Sequence, residues 1–207
     1  MNCLSSDGKC LKKRRVRYKG GQVKRKQMIS LFKAAKNFRD YDEYPVLSEH
    51  IDPQVHVSRN RIAQPFYLIC EQDTMLVQLT GKSQILFKDS NVISFKLGPA
   101  DCIYIPGGTP TRLMPSEESI QLRYKARVPG LEGVAWYCDR CNEELHREVW
   151  NTKSELSQDA YLRGCTLVNA DEGLRTCNKC GEMQSPIDLS GIRWADVSSM
   201  LKELEEK

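Results

Sequence analysis

The amino-acid sequence predicts an all-β fold, in which a barrel carries a small C-terminal metal-binding lobe and terminal helices. Three observations lead to this prediction: a series of short apolar segments, two Cys-x-x-Cys pairs, and a spaced apolar pattern at the C-terminus. At 207 residues the chain is long enough for one full domain and one small one. Hydrophobic residues at 40% and charged residues at 28% describe an ordinary globular protein.

Six short apolar segments follow one another in the first two thirds of the chain. They span residues 66–70, 75–79, 83–88, 92–97, 101–105 and 119–124. Gly, Asp, Asn and Pro separate them, and many short strands with such turns predict a barrel or sandwich. We assign residues 40–130 to this barrel and expect its first part, residues 40–62, to be irregular.

Apolar residues at helical spacing predict a helix at each end. Residues 28–38 form a short amphipathic pattern within an arm that spans residues 1–39, with Ile29, Leu31 and Phe32 on its apolar side. The range 191–207 forms the C-terminal helix. Its apolar stripe comprises Trp194, Val197, Leu201 and Leu204, and Asp188 or Ser190 is the expected N-cap.

Two cysteine pairs, Cys138-x-x-Cys141 and Cys177-x-x-Cys180, lie in the range 131–190, which we assign to the metal-binding lobe. Two such knuckles can close a tetrahedral site of four thiolates around one metal ion. Gly181 can adopt the positive φ that a knuckle turn often needs. Thiolate ligands favour zinc or a single iron, and the sequence leaves both open.

The other cysteines do not form a second motif. Two disulfides are the alternative for the paired cysteines, and the odd total of nine cysteines weighs against them. Cys3 and Cys10 are predicted to be surface thiols, with a metal site shared with a neighbouring molecule as the alternative. Cys70 and Cys102 fall on predicted strands and are expected in the core, whereas Cys165 has no partner at knuckle spacing.

The N-terminal arm is strongly basic. Residues 1–39 carry thirteen Lys and Arg against the single acid Asp7, and the remaining 168 residues sum to −8. The residues predicted to contact nucleic acid are Lys12, Lys13, Arg14, Arg15, Arg17, Lys19, Lys24, Arg25 and Lys26. Clustered cations with Tyr18 as the one aromatic among them favour contact with RNA phosphates over base recognition.

Other interpretations of the arm stay open. A solvated tail is one, and a mitochondrial presequence is another, because the arm is rich in Arg and almost free of acids but poor in Ser. An acidic protein surface or anionic lipid headgroups could also bind it.

Five further segments resemble a known enzyme family. They are Phe66-Tyr67, Ile105-Pro106-Gly107-Gly108-Thr109-Pro110, Trp136-Tyr137-Cys138-Asp139-Arg140-Cys141, Leu145-His146-Arg147 and Leu174-Arg175-Thr176-Cys177-Asn178-Lys179-Cys180-Gly181. Residues 65–186 thereby resemble the 3-hydroxyanthranilate 3,4-dioxygenases, cupins that open an aromatic ring with non-haem Fe(II). The resemblance implies a double-stranded β-helix barrel and a second, rubredoxin-like metal site.

The resemblance also shows which iron ligands are replaced. The family binds Fe(II) with two histidines and one carboxylate. The first histidine position corresponds to Ser58, the carboxylate to Gln64 and the second histidine to Thr111. We therefore expect a catalytically degenerate member without catalytic Fe(II).

The substrate-binding positions differ as well. The two arginine positions of the family correspond to Gln54 and Pro115, and a family acid corresponds to Arg123, which adds a buried or paired cation. A two-residue insertion would allow His56 to act as a ligand, whereas the upstream His50 does not fill the position of the second histidine. His146 is expected to pack or to donate a hydrogen bond in the metal-binding lobe.

These features favour a non-enzymatic structural or accessory subunit of a large assembly. We expect a mitochondrial ribosome or its assembly intermediate on the matrix side, with the basic arm on RNA. An accessory subunit of a respiratory complex is the first alternative, and a divergent ring-opening dioxygenase is the second. A small-molecule sensor that uses the barrel is a further possibility.

Overall fold

The computed structural model describes residues 30–36, 40–47 and 51–205. The helices are α1 (Leu31–Ala35), α2 (Ser157–Ala170), α3 (Glu172–Arg175) and α4 (Trp194–Glu205). The strands are β1 (Tyr41–Pro45), β2 (Gln54–Asn60), β3 (Tyr67–Cys70), β4 (Thr74–Thr80), β5 (Ser83–Phe87), β6 (Ser94–Leu97), β7 (Cys102–Ile105), β8 (Thr111–Pro115), β9 (Ser119–Lys125), β10 (Leu131–Tyr137) and β11 (Glu144–Asn151).

The strands form two antiparallel sheets with jelly-roll connectivity. One sheet has the order β1-β2-β9-β4-β7 and the other the order β11-β10-β3-β8-β5-β6. Strand β2 pairs with β9, β3 with β8, β4 with β7 and β5 with β6, and these pairs alternate between the sheets. This nested pairing is the double-stranded β-helix. The predicted all-β cupin fold is confirmed.

Strand β10 extends the six-stranded sheet into the region of the cysteine pairs. It pairs with β3 on one side and with β11 on the other. The first Cys-x-x-Cys pair follows β10 directly, at Cys138 and Cys141. The barrel and the cysteine lobe are therefore joined through one continuous strand.

An aromatic cluster packs the helices against the sheets. Phe66, Tyr41 and Trp194 are fully buried together with Tyr161 of α2, and their rings meet at tilted or edge-on angles. Helix α2 was not predicted, because its apolar residues are interrupted by Gln158, Asp159 and other polar groups. Burial of these large rings is the main apolar contribution at this end of the fold.

The two terminal helices were predicted, with corrections in detail. Leu31 and Ala35 of α1 pack on the outer face of the five-stranded sheet, whereas Phe32 is 53% exposed and does not belong to the apolar side. Residues 28, 29, 37 and 38 lie outside the described residues. In α4, Trp194 and Val197 are buried as predicted.

The predicted N-caps of α4 are wrong. The helix begins at Trp194, so Asp188 and Ser190 lie too early in the chain to cap it. The carboxylate of Asp188 instead accepts a hydrogen bond from the backbone N–H of Ser190 at 2.9 Å, within the preceding turn. Both polar residues thus stabilise the turn that leads into the helix.

All six predicted strands are present with shifted ends, and five strands were not predicted. Strands β1 and β2 occupy the range expected to be irregular, and β8, β10 and β11 complete the sheets. Cys102 on β7 is exposed rather than in the core, because it lies on an edge strand and its side chain faces outward. Cys70 and Cys165 are buried. Among the described helices, none is long and apolar enough to cross a membrane.

Two glycine substitutions test how tightly the turn between β4 and β5 packs against its neighbours. Gly81 has φ +69° and a Cβ there would collide with the carbonyl oxygen of Glu118, whereas Gly108 has φ +78° and an added Cβ would meet nothing within 4 Å. Gly108→Ala should lower the free energy of unfolding by about 1 kcal/mol through backbone strain alone. Gly81→Ala should cost about 2 kcal/mol more because of the collision. Urea unfolding measures both, and equal losses would contradict the packing described here.

Candidate metal centre and barrel interior

Two similar turns bring the four predicted metal ligands together. Cys138 and Cys141 lie between β10 and β11, and Cys177 and Cys180 follow α3. In the first turn, the N–H of Asn142 donates to the carbonyl of Cys138 at 2.9 Å. In the second, the N–H of Gly181 donates to that of Cys177 at the same distance.

The two turns share a backbone requirement that two different residues satisfy. Gly181 has φ +72°, as predicted, and Asn142 has φ +66° at the equivalent position of the first turn. Asparagine is one of the few residues besides glycine that adopt this left-handed conformation readily. The role of Asn142 was not predicted, although an asparagine directly after a Cys-x-x-Cys pair is a usable signal.

The four sulfur atoms form a compact cluster. All four Sγ atoms lie within 4.8 Å of one another, with 3.5 Å between Cys138 and Cys180 and 3.4 Å between Cys141 and Cys177. A tetrahedral metal ion with Zn–S bonds of about 2.3 Å requires sulfur separations of about 3.8 Å. The four cysteines therefore fit one metal ion of the kind that thiolates bind.

Charged side chains and backbone donors surround the cluster. Lys179 of the second turn pairs with Glu143 of the first at 3.0 Å, and Arg140 of the first lies 3.9 Å from Glu182 of the second. Burial raises the pKa of Cys177, but hydrogen bonds from the N–H groups of Cys180 and Lys179 outweigh it and lower this pKa to about 7. The donors thus favour the thiolate form that a metal requires.

An aromatic contact holds the cysteine lobe on the barrel. Trp136 packs edge-on against Phe66 at 6.2 Å between ring centroids and is stacked with His146 at 5.9 Å. Nε2 of His146 lies 2.8 Å from Glu148. His146 therefore has the packing and hydrogen-bonding environment that the sequence predicted.

The three residues expected at the iron-ligand positions, Ser58, Gln64 and Thr111, are buried and form hydrogen bonds with other protein groups. The side-chain amide of Gln64 donates to the carbonyls of Phe66 at 2.9 Å and Thr111 at 3.1 Å. The hydroxyl of Thr111 donates to the carbonyl of Leu68, and that of Ser58 accepts from Asn60 at 3.2 Å. Gln54 donates to the carbonyl of Ile51, and Pro115 ends β8.

A polar network crosses the barrel interior between the sheets. The amide of Gln121 on β9 donates to Gln78 on β4 at 2.5 Å and to Ser83 on β5 at 3.1 Å. The hydroxyl of Ser83 donates to Gln78 at 2.9 Å. Because β4 and β5 belong to different sheets, these bonds tie the two sheets together from within.

Next to this network lies a cluster of buried charges, which we call the ion-pair cluster: Glu43, His56, Arg123, Lys125 and Glu132. Nζ of Lys125 lies 3.0 Å from Glu132 and 3.2 Å from Glu43, and Nε of Arg123 lies 3.5 Å from Glu43. Both cations and both carboxylates are at least nine-tenths buried. Arg123 is thus the buried and paired cation that the sequence predicted.

The cluster sets the protonation states of its members. Burial lowers the pKa of His56 to about 3, and the nearby charge of Lys125 adds to this effect. Burial alone would raise the pKa of Glu43, but Lys125 and Arg123 hold it at about 2. At neutral pH the histidine is uncharged, so two cations face two carboxylates.

Several predicted residues lie outside the described part of the chain. These are Cys3, Cys10, His50 and the nine basic residues of the arm. No structural or functional role was predicted for Glu43, Lys125 or Glu132. The alternation of Gln121, Arg123 and Lys125 with apolar residues along β9 is the signal that places them on one face.

The comparisons with known proteins yield solved structures that are similar to this chain at low sequence identity. No family model and no curated protein matches the sequence. The hydroquinone 1,2-dioxygenase PnpCD, in complex with Cd²⁺ and 4-hydroxybenzonitrile, is similar at 16% identity and a TM-score of 0.40, over 46% of this chain and 69% of that one. A cupin-2 domain protein from Shewanella frigidimarina is similar at 16% identity and a TM-score of 0.41, over 48% and 94%. A hydroquinone 1,2-dioxygenase from Sphingomonas sp. has 12% identity and a TM-score of 0.40, over 46% and 71%.

Replacement of one cysteine ligand tests the metal centre. Cys177→Ser should abolish binding of one metal equivalent and lower the midpoint of thermal unfolding by at least about 10 °C, because site assembly contributes folding free energy. Metal analysis and calorimetry measure the two effects. Cys102→Ser, at an exposed cysteine away from the cluster, is the control and should change neither. Retention of metal and midpoint in Cys177→Ser would refute the site.

The ion-pair cluster predicts a specific dependence of stability on pH. The pKa of His56 is about 3 in the folded chain against 6.5 ordinarily, so the unfolded chain binds the extra proton as the pH falls below 6.5. The free energy of unfolding should therefore fall by up to about 2 kcal/mol between pH 6.5 and pH 5.

His56→Gln should remove this part of the fall, and the control His146→Gln should retain it. Urea unfolding at each pH is the measurement. An unchanged pH profile in His56→Gln would contradict the assignment of a buried neutral histidine.

Proposed function

We propose that this protein is a non-catalytic cupin, descended from the 3-hydroxyanthranilate 3,4-dioxygenases, that serves as a structural subunit of a larger assembly. The observation that carries the proposal is the contrast between its two candidate metal sites. The four cysteine sulfurs lie within 4.8 Å of one another, whereas Ser58, Gln64 and Thr111 offer no metal-binding carboxylate or imidazole. The cysteine site thus has all four of its ligands, whereas all three iron-ligand positions of the family hold other residues in this chain.

The charges inside the barrel support the same proposal. A metal-dependent oxygenase needs ligands that bind a cation with open positions for oxygen and substrate. Here Lys125 and Arg123 supply the cations, and both lie close to the carboxylate of Glu43. A divalent ion at this place would have to displace an ammonium or a guanidinium from a buried carboxylate. Such displacement leaves an uncompensated charge and is costly.

The identity of the assembly is proposed from the charge of the arm. Residues 1–39 hold thirteen basic residues and one acid, a density that suits contact with RNA phosphates through release of counterions. We favour a mitochondrial ribosome or its assembly intermediate. A tetrahedral zinc or iron ion in the cysteine site would be structural and would hold the C-terminal lobe in place.

Metal and oxygen measurements test the non-catalytic role. The purified protein should contain about one thiolate-bound metal per chain. After incubation with Fe(II), it should consume no oxygen in the presence of 3-hydroxyanthranilate. A second iron equivalent that supports oxygen uptake, and is lost in His56→Gln, would establish an enzyme instead.

Removal of the basic arm tests the proposed RNA contact. A variant lacking residues 1–27 should lose binding to a mixed-sequence RNA, and the full chain should lose affinity steeply as salt is raised, because phosphate contacts dominate. Filter binding at several salt concentrations measures both. As a control, substitution of Lys153 and Lys202, both outside the arm, should leave binding intact. Equal binding by the truncated protein would contradict the proposal.

A further inference from the structure

The outer face of the five-stranded sheet is apolar across strands β2, β9, β4 and β7. Two rows of directly paired side chains cross it. One row consists of Val57, Leu122, Val77 and Cys102, and the other of Val55, Tyr124, Met75 and Tyr104. None of these side chains is charged at neutral pH. A continuous apolar face of this kind marks a place where another part of the chain or a partner packs.

Helix α1 covers one half of this face. Val57 and Leu122, which pack with the helix, are 0% and 6% exposed. On the half formed by β4 and β7, Met75 is 42% and Tyr104 is 59% exposed. The described part of the chain therefore leaves this half open to water. We call it the β4–β7 surface, and it comprises Met75, Val77, Cys102 and Tyr104.

Acidic side chains border the β4–β7 surface. Asp73 accepts a hydrogen bond from the hydroxyl of Tyr104 at 2.6 Å, and Asp101 directly precedes β7. Both acids are exposed, and among the residues that the structure describes neither has a cation as a partner. A segment that covers this surface should therefore combine apolar side chains with positive charge.

The N-terminal arm has this composition and ends on the same face of the sheet. Residues 1–29 lie outside the described residues, and the described chain resumes at Ser30, directly before α1. Residues 22–29 hold three consecutive basic residues, 24–26, with Val23 on one side and Met28 and Ile29 on the other.

Residues 22–29 are long enough to reach the β4–β7 surface. Helix α1 packs over β2, and β7 lies three strands away from β2 in the sheet. With neighbouring strands about 4.8 Å apart, this distance is about 14 Å. Eight extended residues span up to about 26 Å.

The charges favour the arm over a second copy of the chain as the occupant. Contact between two identical β4–β7 surfaces would bring the acids of both copies together. Residues 40–207 sum to −8, whereas residues 1–39 carry thirteen basic residues and one acid. Attraction between the arm and the barrel is therefore expected, and repulsion between two barrels.

We propose that residues 22–29 dock on the β4–β7 surface, with their apolar side chains against Met75 and Tyr104 and their basic residues beside Asp73 and Asp101. Docking would fix the place where the rest of the arm leaves the barrel, while residues 12–19 stay available for RNA. The proposal depends neither on RNA binding nor on a metal ion in the cysteine site.

The native thiol of Cys102 reports on this surface, because it is exposed in the described structure and a docked segment would cover it. In the full-length protein, alkylation of Cys102 by N-ethylmaleimide should be at least about tenfold slower than in a variant with Met28→Asp and Ile29→Asp. Peptide mass spectrometry distinguishes Cys102 from the other cysteines. The control with Leu11→Asp and Val16→Asp, in the part of the arm before the segment, should keep the slow rate.

Two results would overturn the proposal. One is an equal alkylation rate of Cys102 in the parent protein and in the variant with Met28→Asp and Ile29→Asp. The other is protection that increases with protein concentration, which would show that a second copy covers the surface. Thermal unfolding confirms that each variant is folded. If the aspartate variant does not fold, reversal of the three basic residues 24–26 to Glu decides the test, and an unchanged rate there would refute the docking.

Discussion

The structure depends on one interaction, the contact of the Lys125 ammonium with the carboxylates of Glu43 and Glu132. Lys125 lies on β9 of one sheet and Glu132 on β10 of the other, 3.0 Å apart, so this contact joins the sheets inside the barrel. A buried charge without a partner costs several kcal/mol. The hydroxyl of Ser157 donates to Glu132 at 2.7 Å and thereby attaches α2 to the same cluster. The two sheets and helix α2 therefore meet at the ion-pair cluster.

Strand β10 connects this point to the cysteine centre. Glu132 lies near its start, Trp136 lies one residue before its end, and Cys138 directly follows the strand. The strand is paired on both sides, and Val134 and Ala135 between these sites are fully buried. The lobe that follows is thus set on the barrel by a rigid element rather than by a linker. A metal ion in the four-cysteine site would fix the far end of the same element.

Local sequence patterns predicted much of the fold, but they did not predict which side chains face its interior. The apolar segments and the Gly, Asp, Asn and Pro residues between them predicted six of the strands, and the Cys-x-x-Cys spacing predicted the cysteine cluster. The missed parts share a cause. Along β9, the apolar residues Ile120, Leu122 and Tyr124 pack on the outer face with α1, and the polar residues face inward. The alternation of apolar and polar residues by itself would place the apolar face of β9 in the barrel interior. The apolar face instead lies outside because α1 covers it there.

Helix α2 and the charge pairs were missed for a related reason. Helix α2 buries Gln158, whose amide donates to the carbonyl of Glu43, as well as Tyr161 and Cys165. A sequence pattern that counts polar residues as exposed cannot recognise such a face. Likewise, Lys125 and Glu132 lie seven positions apart in the chain and in different sheets, so their pairing depends on the three-dimensional fold.

A double-mutant cycle on the Lys125–Glu132 pair tests the central claim most directly. Lys125→Met and Glu132→Gln should each lower the free energy of unfolding by about 3 kcal/mol or more, because each leaves a buried charge less compensated. The double variant should lose at least about 2 kcal/mol less than the sum of the two single losses. Urea unfolding at neutral pH gives all four values. Additive losses would show that the two side chains do not act together, and would contradict the claim that this pair joins the two sheets.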